Sequence, residues 1–151
     1  MNGEIRELYQ QMIMDHNKQP RNFRKLLAAT AQAEGFNPLC GDHLHVYIKM
    51  DGNRIEDISF EGSGCAISKA AGSMMTDALK GKTREEAKAI FEEVRAMLSR
   101  DVHQPFEKKH LGKLEVFAGI CEFPARIKCA PLPWHAMMEA LEPTGKQVTT
   151  E

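Results

Sequence analysis

The segment NPLCGDHLH, residues 37–45, sets a thiol, Cys40, and a carboxylate, Asp42, on either side of Gly41. Glycine lets the backbone come close to itself, so one sulfur and one oxygen can be presented to a single point. Cys65 follows the glycine-rich run EGSG and opens a helical pattern. At a helix N-terminus the macrodipole favours a thiolate, which readies this cysteine for a metal ion. Cys129 lies just before Pro131, and proline drives its predecessor out of the helical region, so Cys129 falls near a helix end from which a loop can carry it to the others. Three thiolates and one carboxylate form a four-coordinate set suited to tetrahedral zinc. A purely structural zinc more commonly takes four sulfur or nitrogen ligands, and one hard oxygen implies a site able to exchange a ligand and free a thiolate. Without a CxxC pair, the spacing is equally compatible with ordinary buried cysteines.

Several elements must converge to position these groups. Ile5, Leu8, Tyr9, Met12 and Ile13 recur at helical spacing and predict an amphipathic helix over residues 4–16. A weakly patterned stretch follows through Gly35. From His43, alternation sets Leu44, Val46, Ile48 and Met50 on one face of a strand and His43, His45, Tyr47 and Lys49 on the other. Asp51-Gly52-Asn53 is a turn, and RIEDISFEG returns as a second strand whose apolar phase shifts between Ile55 and Ile58, the mark of a bulge. The hairpin places Cys40 and Cys65 just beyond its open end.

After Cys65, the residues Ile67, Ala70, Ala71, Met74 and Ala78 make a helical stripe that stops at Gly81. Thr83 and Glu86 stand in capping-box spacing ahead of a helix carrying Ala87, Ile90, Phe91, Val94, Met97 and Leu98. Residues 101–119 read as a loop with one short helix. The stretch FPARIKCAPLPWHAMMEAL is helical but broken by Pro131 and Pro133, with a restart that takes Pro133 into its first turn. The expected fold is α+β: a small antiparallel sheet, helices packed on one face, and the metal site at one end. One domain is expected over residues 1–142, and residues 143–151 are expected to fray.

A chain of 151 residues fits one domain, and its 20 basic against 21 acidic residues leave no net field for tracking phosphates. Nucleic acid is not an expected partner. The N-terminus is charged from Glu4, and no apolar run approaches a membrane span, so no membrane association and a cytoplasmic setting are expected. There thiols stay reduced, and four cysteines read as metal ligands or reactive thiols rather than as two disulfides. No glycine-rich phosphate loop follows a strand, and no Ser-His-Asp order is present.

The motifs NPLCGD, FEGSGCAIS and FPARIKCA, in this order, together with MDHNKQPRN near the start, resemble the IscU-like (NifU N-terminal-like) family of iron–sulfur cluster assembly proteins. The resemblance covers nearly the whole chain. Within the family the SufU branch is closer, because the helical segment GKTREEAKAIFEEVRAMLSR is inserted between the second and third motif cysteines and Lys128 stands where the cluster-scaffold branch carries histidine. The resemblance implies a zinc-dependent sulfurtransferase that takes persulfide sulfur from a SufS-type, pyridoxal-phosphate cysteine desulfurase and passes it towards a downstream iron–sulfur scaffold. It implies Cys40, Asp42, Cys65 and Cys129 as zinc ligands and Cys40 as sulfur acceptor, freed when a desulfurase histidine takes its place on the metal. Arg126 matches the motif arginine and stands to meet Asp42 or the released thiolate, or else to be a solvated arginine. The alternative from the same resemblance is a scaffold for a transient [2Fe–2S] cluster on the same residues.

Two features depart from the family pattern. Cys121 matches no motif cysteine and reads as a buried bystander, and CAPLPWH carries two prolines after Cys129. His43, His45 and His135 are expected to be exposed rather than ligating, and the Met74-Met75 and Met137-Met138 pairs to be packing residues.

Overall fold

The computed structural model describes residues 3–150. The N-terminal helix α1 spans Gly3–Lys18 and buries Ile13 and His16. Strand β1 (Ala31–Asn37) leads through a tight turn to β2 (Asp42–Asp51) and β3 (Arg54–Ser63). β1 and β3 flank β2 antiparallel, and β4 (Val148–Thr149) adds to the outer edge of β1 in parallel, giving the order β3-β2-β1-β4. The sheet is therefore mixed, not purely antiparallel as expected. The C-terminal segment expected to fray instead returns to the sheet, with Val148 and Thr149 opposite Gly35 and Phe36.

The bulge falls where the phase shift predicted it. Lys49 pairs with Asp57 but Met50 pairs with Ile55, so Glu56 is the extra residue. This offset keeps both Ile55 and Ile58 fully buried beside Phe60, Leu44, Val46 and Ile48. Burying each of these side chains contributes about 1.5–3 kcal/mol. The helices cover this face: α4 (Leu132–Leu141) lies over β1 and β2, while α2 (Ala66–Leu79) packs against β3 and α1. The opposite face carries His43 and His45, with Tyr47 between polar neighbours.

The expected insertion helix is α3, Arg84–Ser99, and its capping box is complete: Glu86 N–H donates to Thr83 Oγ1, and Thr83 N–H to Glu86 Oε1. The following stretch is more regular than a loop with one short helix. Gly112–Glu122 winds as 3-10 turns, and with three residues per turn Leu114, Phe117 and Ile120 line up on one buried side. A shorter 3-10 turn, Pro124–Arg126, precedes Cys129, and α4 restarts after Pro131 with Pro133 in its first turn. Among the described residues no helix is long and apolar enough to cross a membrane.

Candidate metal centre

The turn of residues 38–41 joins β1 to β2 and is closed by the cross-strand pair Asn37 and Asp42. Gly41 has φ +74°, a left-handed conformation that a side chain would strain, and this bend brings Cys40 round beside Asp42. Strand alternation then separates neighbours: Asp42 points to the helix-covered face and is 2% exposed, whereas His43 points outward and pairs with Glu34 at 2.8 Å. His43 thus stands apart from Asp42 although it adjoins it in sequence.

Beyond the far end of the hairpin, Gly64 permits a close approach. A Cβ there would lie 2.8 Å from Asp42 Oδ1 and 2.4 Å from Ser68 Oγ. The next residue, Cys65, caps α2. Its sulfur accepts from Ser68 N–H at 3.5 Å, and its own N–H donates to Asp42 Oδ1 at 2.8 Å. Cys129, fully buried, is delivered by the turn between Pro124–Arg126 and α4, where its N–H bonds Arg126 O at 3.0 Å.

Cys40 Sγ, an Asp42 carboxylate oxygen and Cys129 Sγ lie within 4.8 Å of one another, the two sulfurs 3.4 Å apart. Two sulfurs about 2.3 Å from a common tetrahedral ion stand roughly 3.8 Å apart, so these donors need open by only a few tenths of an ångström to hold zinc. The Cys65 sulfur falls outside this group of three. It is turned onto the α2 N-terminus, yet remains a hydrogen-bonding neighbour of Cys129.

The electrostatics of this set call for a cation. Burial first, then hydrogen bonds to Cys40 and Cys65 and the charges of Cys65 and Asp42, push the Cys129 thiol far above the ordinary thiol range. Without a metal, Cys129 is held as a thiol; a divalent ion among these donors would supply the missing positive charge. Arg126 is an exposed cation that interacts with this set. Its pKa is raised further above the ordinary guanidinium range, first by Cys65 and then by a hydrogen bond to Cys129.

Two residues escaped the sequence reading: Asn37, whose amide nitrogen is 3.5 Å from Asp42 Oδ2 and 3.6 Å from Cys129 Sγ, and Ser68. The N-cap-to-N3 spacing of Cys65 and Ser68 is a signal for the second. Cys121 is buried, its thiol bonded to Ala118 O at 3.5 Å. His45 and His135 are half-buried, not exposed, the ring of His135 edge-on to Phe91.

A model of the NifU-like N-terminal domain family matches residues 8–130. The iron–sulfur cluster assembly scaffold protein IscU of Streptococcus pyogenes is 40% identical over 140 residues, covering 93% of this chain and 86% of the relative. The zinc-dependent sulfurtransferase SufU of Bacillus subtilis is 42% identical over 136 residues, covering 90% of each chain. Among solved structures, one from Fervidobacterium islandicum, described as an iron–sulfur cluster assembly scaffold for the SUF system, has a TM-score of 0.82 at 34% identity and covers 90% of this chain and 98% of that one. The matched span runs from within α1 to the turn beyond Cys129 and takes in Cys40, Asp42, Cys65 and Cys129, and the chain belongs to the NifU-like N-terminal domain family, among relatives named IscU and SufU.

Proposed function

We propose that this protein is a zinc-dependent sulfurtransferase of cytoplasmic iron–sulfur cluster assembly, accepting persulfide sulfur from a SufS-type cysteine desulfurase and passing it to a downstream scaffold. Cys40, Asp42 and Cys129 would hold the zinc, and Cys65 would complete the set if its sulfur left Ser68 N–H. Bound zinc supplies the charge that keeps these thiols deprotonated at neutral pH. The observation that carries the reading is the inequality of the paired sulfurs: Cys129 is fully buried, whereas Cys40 is half-buried on a turn and its sulfur meets the main chain only at 3.7 Å, on Ala125 O. Of this pair, Cys40 is the thiol a partner can reach.

In the transfer step the Cys40 thiolate attacks the terminal sulfur of the donor persulfide. A new S–S bond forms on Cys40, the donor's S–S bond breaks, and the donor cysteine leaves as a thiolate, so no external oxidant or reductant is needed. Arg126, exposed and protonated beside the sulfurs, steadies the anion as it is released. The Bacillus subtilis relative's name, the α3 insertion and Lys128 support this assignment.

The second reading, a scaffold for a transient [2Fe–2S] cluster, is supported by the Streptococcus pyogenes relative's name and by the oxygen donor Asp42, which would keep a cluster labile. Elemental analysis of protein purified without added metal separates the two. About one zinc per chain with no acid-labile sulfide and no colour is the expected result. Iron with matching sulfide and a brown solution would replace the transferase with the scaffold.

A further inference from the structure

Asn37 ends β1 and touches the centre in two ways. Its carbonyl accepts the Cys40 N–H at 3.2 Å, closing the turn that carries that thiol, and across the sheet it pairs with Asp42. Its side-chain nitrogen reaches Cys129 Sγ at 3.6 Å and stands 3.5 Å from Asp42 Oδ2. The residue is fully buried, and its Oδ1 has no hydrogen-bond partner among the described residues. A buried amide with an orphaned oxygen is costly, and a leucine of similar size would fill the space without that cost. Turning the amide over would not help, because it would aim an oxygen at the Asp42 carboxylate.

We infer that Asn37 is a positioning residue of the metal centre, its amide N–H groups holding the Cys129 sulfur and the outer Asp42 oxygen in place around a bound zinc. The inference rests on the zinc reading. Asp42 is then fixed from both sides, by Asn37 on Oδ2 and by the Cys65 N–H on Oδ1. Cys40 shares none of this side-chain support, since Asn37 reaches it only through the main chain. The supporting shell therefore sorts the ligands: Cys129 and Asp42 are retained, and Cys40 is the one let go. Removing such outer-shell donors typically weakens metal binding roughly 10–100-fold.

The test compares the full-length wild type with Asn37→Leu and Asn37→Asp, which both lack the N–H donors; the first is apolar and the second keeps the shape. Zinc affinity is read by competition with a chromophoric chelator, and the melting temperature of the metal-free protein is read alongside. The expected result is zinc binding about 10–100-fold weaker in both variants. Metal-free Asn37→Leu should melt no lower than the wild type. Affinities within about threefold of wild type overturn the role of Asn37 alone, as does a loss that only tracks a lower metal-free melting temperature in both variants. A wild type that does not hold zinc removes the zinc reading and this inference together.

Discussion

The main-chain N–H of Cys65 donates to Asp42 Oδ1 at 2.8 Å, so the second residue past the hairpin supports the first residue of β2. One proposed ligand is thus part of the scaffold of another. Because this N–H is at the cap of α2, it also brings the positive end of the helix to a carboxylate that is almost wholly buried. The contact depends on how closely the EGSGC segment can pass Asp42, and that depends on Gly64.

Gly64→Ala tests this spacing. The added Cβ would stand 2.8 Å from Asp42 Oδ1 and 2.4 Å from Ser68 Oγ. Ser68 can rotate; Asp42, packed at the sheet end, cannot. The variant is expected to fold with a loss of about 1–3 kcal/mol, read by urea unfolding, and to retain less zinc than the wild type after dialysis against chelator. Wild-type zinc retention would show that Asp42 tolerates displacement.

Alanine substitution should separate the two paired sulfurs. Cys40→Ala removes a half-buried thiol on a turn and should change the stability of the metal-free protein by no more than about 0.5 kcal/mol. Cys129→Ala empties a fully buried position and should cost about 1–3 kcal/mol. Activity follows a different division. The Cys40→Ala protein should still dock with the desulfurase but neither take up sulfur nor stimulate turnover, as read by co-purification and by mass spectrometry of the cysteine peptides. Full stimulation by Cys40→Ala would reduce the protein to a docking module.

Local chemistry made much of this structure legible in the sequence. The Thr83-Glu86 box, the phase shift that becomes the Glu56 bulge, and the glycine between Cys40 and Asp42 each act within a few residues, where spacing is informative. What stayed hidden depends on partners distant in sequence. Strand β1, AQAEGFN, has little intrinsic strand preference, and its extended state comes from the ladder it shares with β2. Tyr47 falls on the polar side by alternation, yet its ring stacks on His45 at 4.2 Å and its hydroxyl bonds Glu61 at 2.5 Å, which buries it. Asn37 reads as a turn residue before proline, and only the arrival of Cys129 from the far end of the chain gives its amide a second use.

Acid should destabilise the metal-free protein through His16. Burial, then the Arg21 charge, lowers its pKa below the ordinary 6.5, against the opposing charges of Asp15 and Asp77, while Nδ1 meets Ser73 Oγ at 2.6 Å. Its depressed native pKa means that the unfolded chain takes up this proton first. The stability it confers is complete above pH 6.5 and declines as the pH falls from there towards the native value, by up to about 1.4 kcal/mol per pH unit. His135, lowered by burial and then by Arg95 and Lys128, adds a loss of the same sign. His16→Gln removes one of these titrations, so its unfolding free energy should fall less steeply than that of the wild type between about pH 7 and pH 5. Equal slopes would assign the acid sensitivity elsewhere.

The C-terminal strand should matter to the centre although it contributes no ligand. Thr150 N–H donates to Phe36 O at 3.1 Å and its hydroxyl to Lys128 O at 2.6 Å, so one residue clasps the neighbour of Asn37 and the neighbour of Cys129. The approach to that clasp is itself ordered: Glu139 accepts from Thr144 N–H at 2.9 Å and from Gly145 N–H at 3.1 Å. Thr150→Val keeps the side-chain shape but leaves the Lys128 carbonyl without its donor, at a cost of about 1 kcal/mol, and should speed zinc release to chelator. Deleting residues 143–151 also strips the parallel partner from β1 and should speed release further. If the deletion lowers the melting temperature but leaves zinc release at the wild-type rate, the clasp secures the sheet edge alone, and the turn bearing Cys129 is held by α4 and its own Arg126 hydrogen bond.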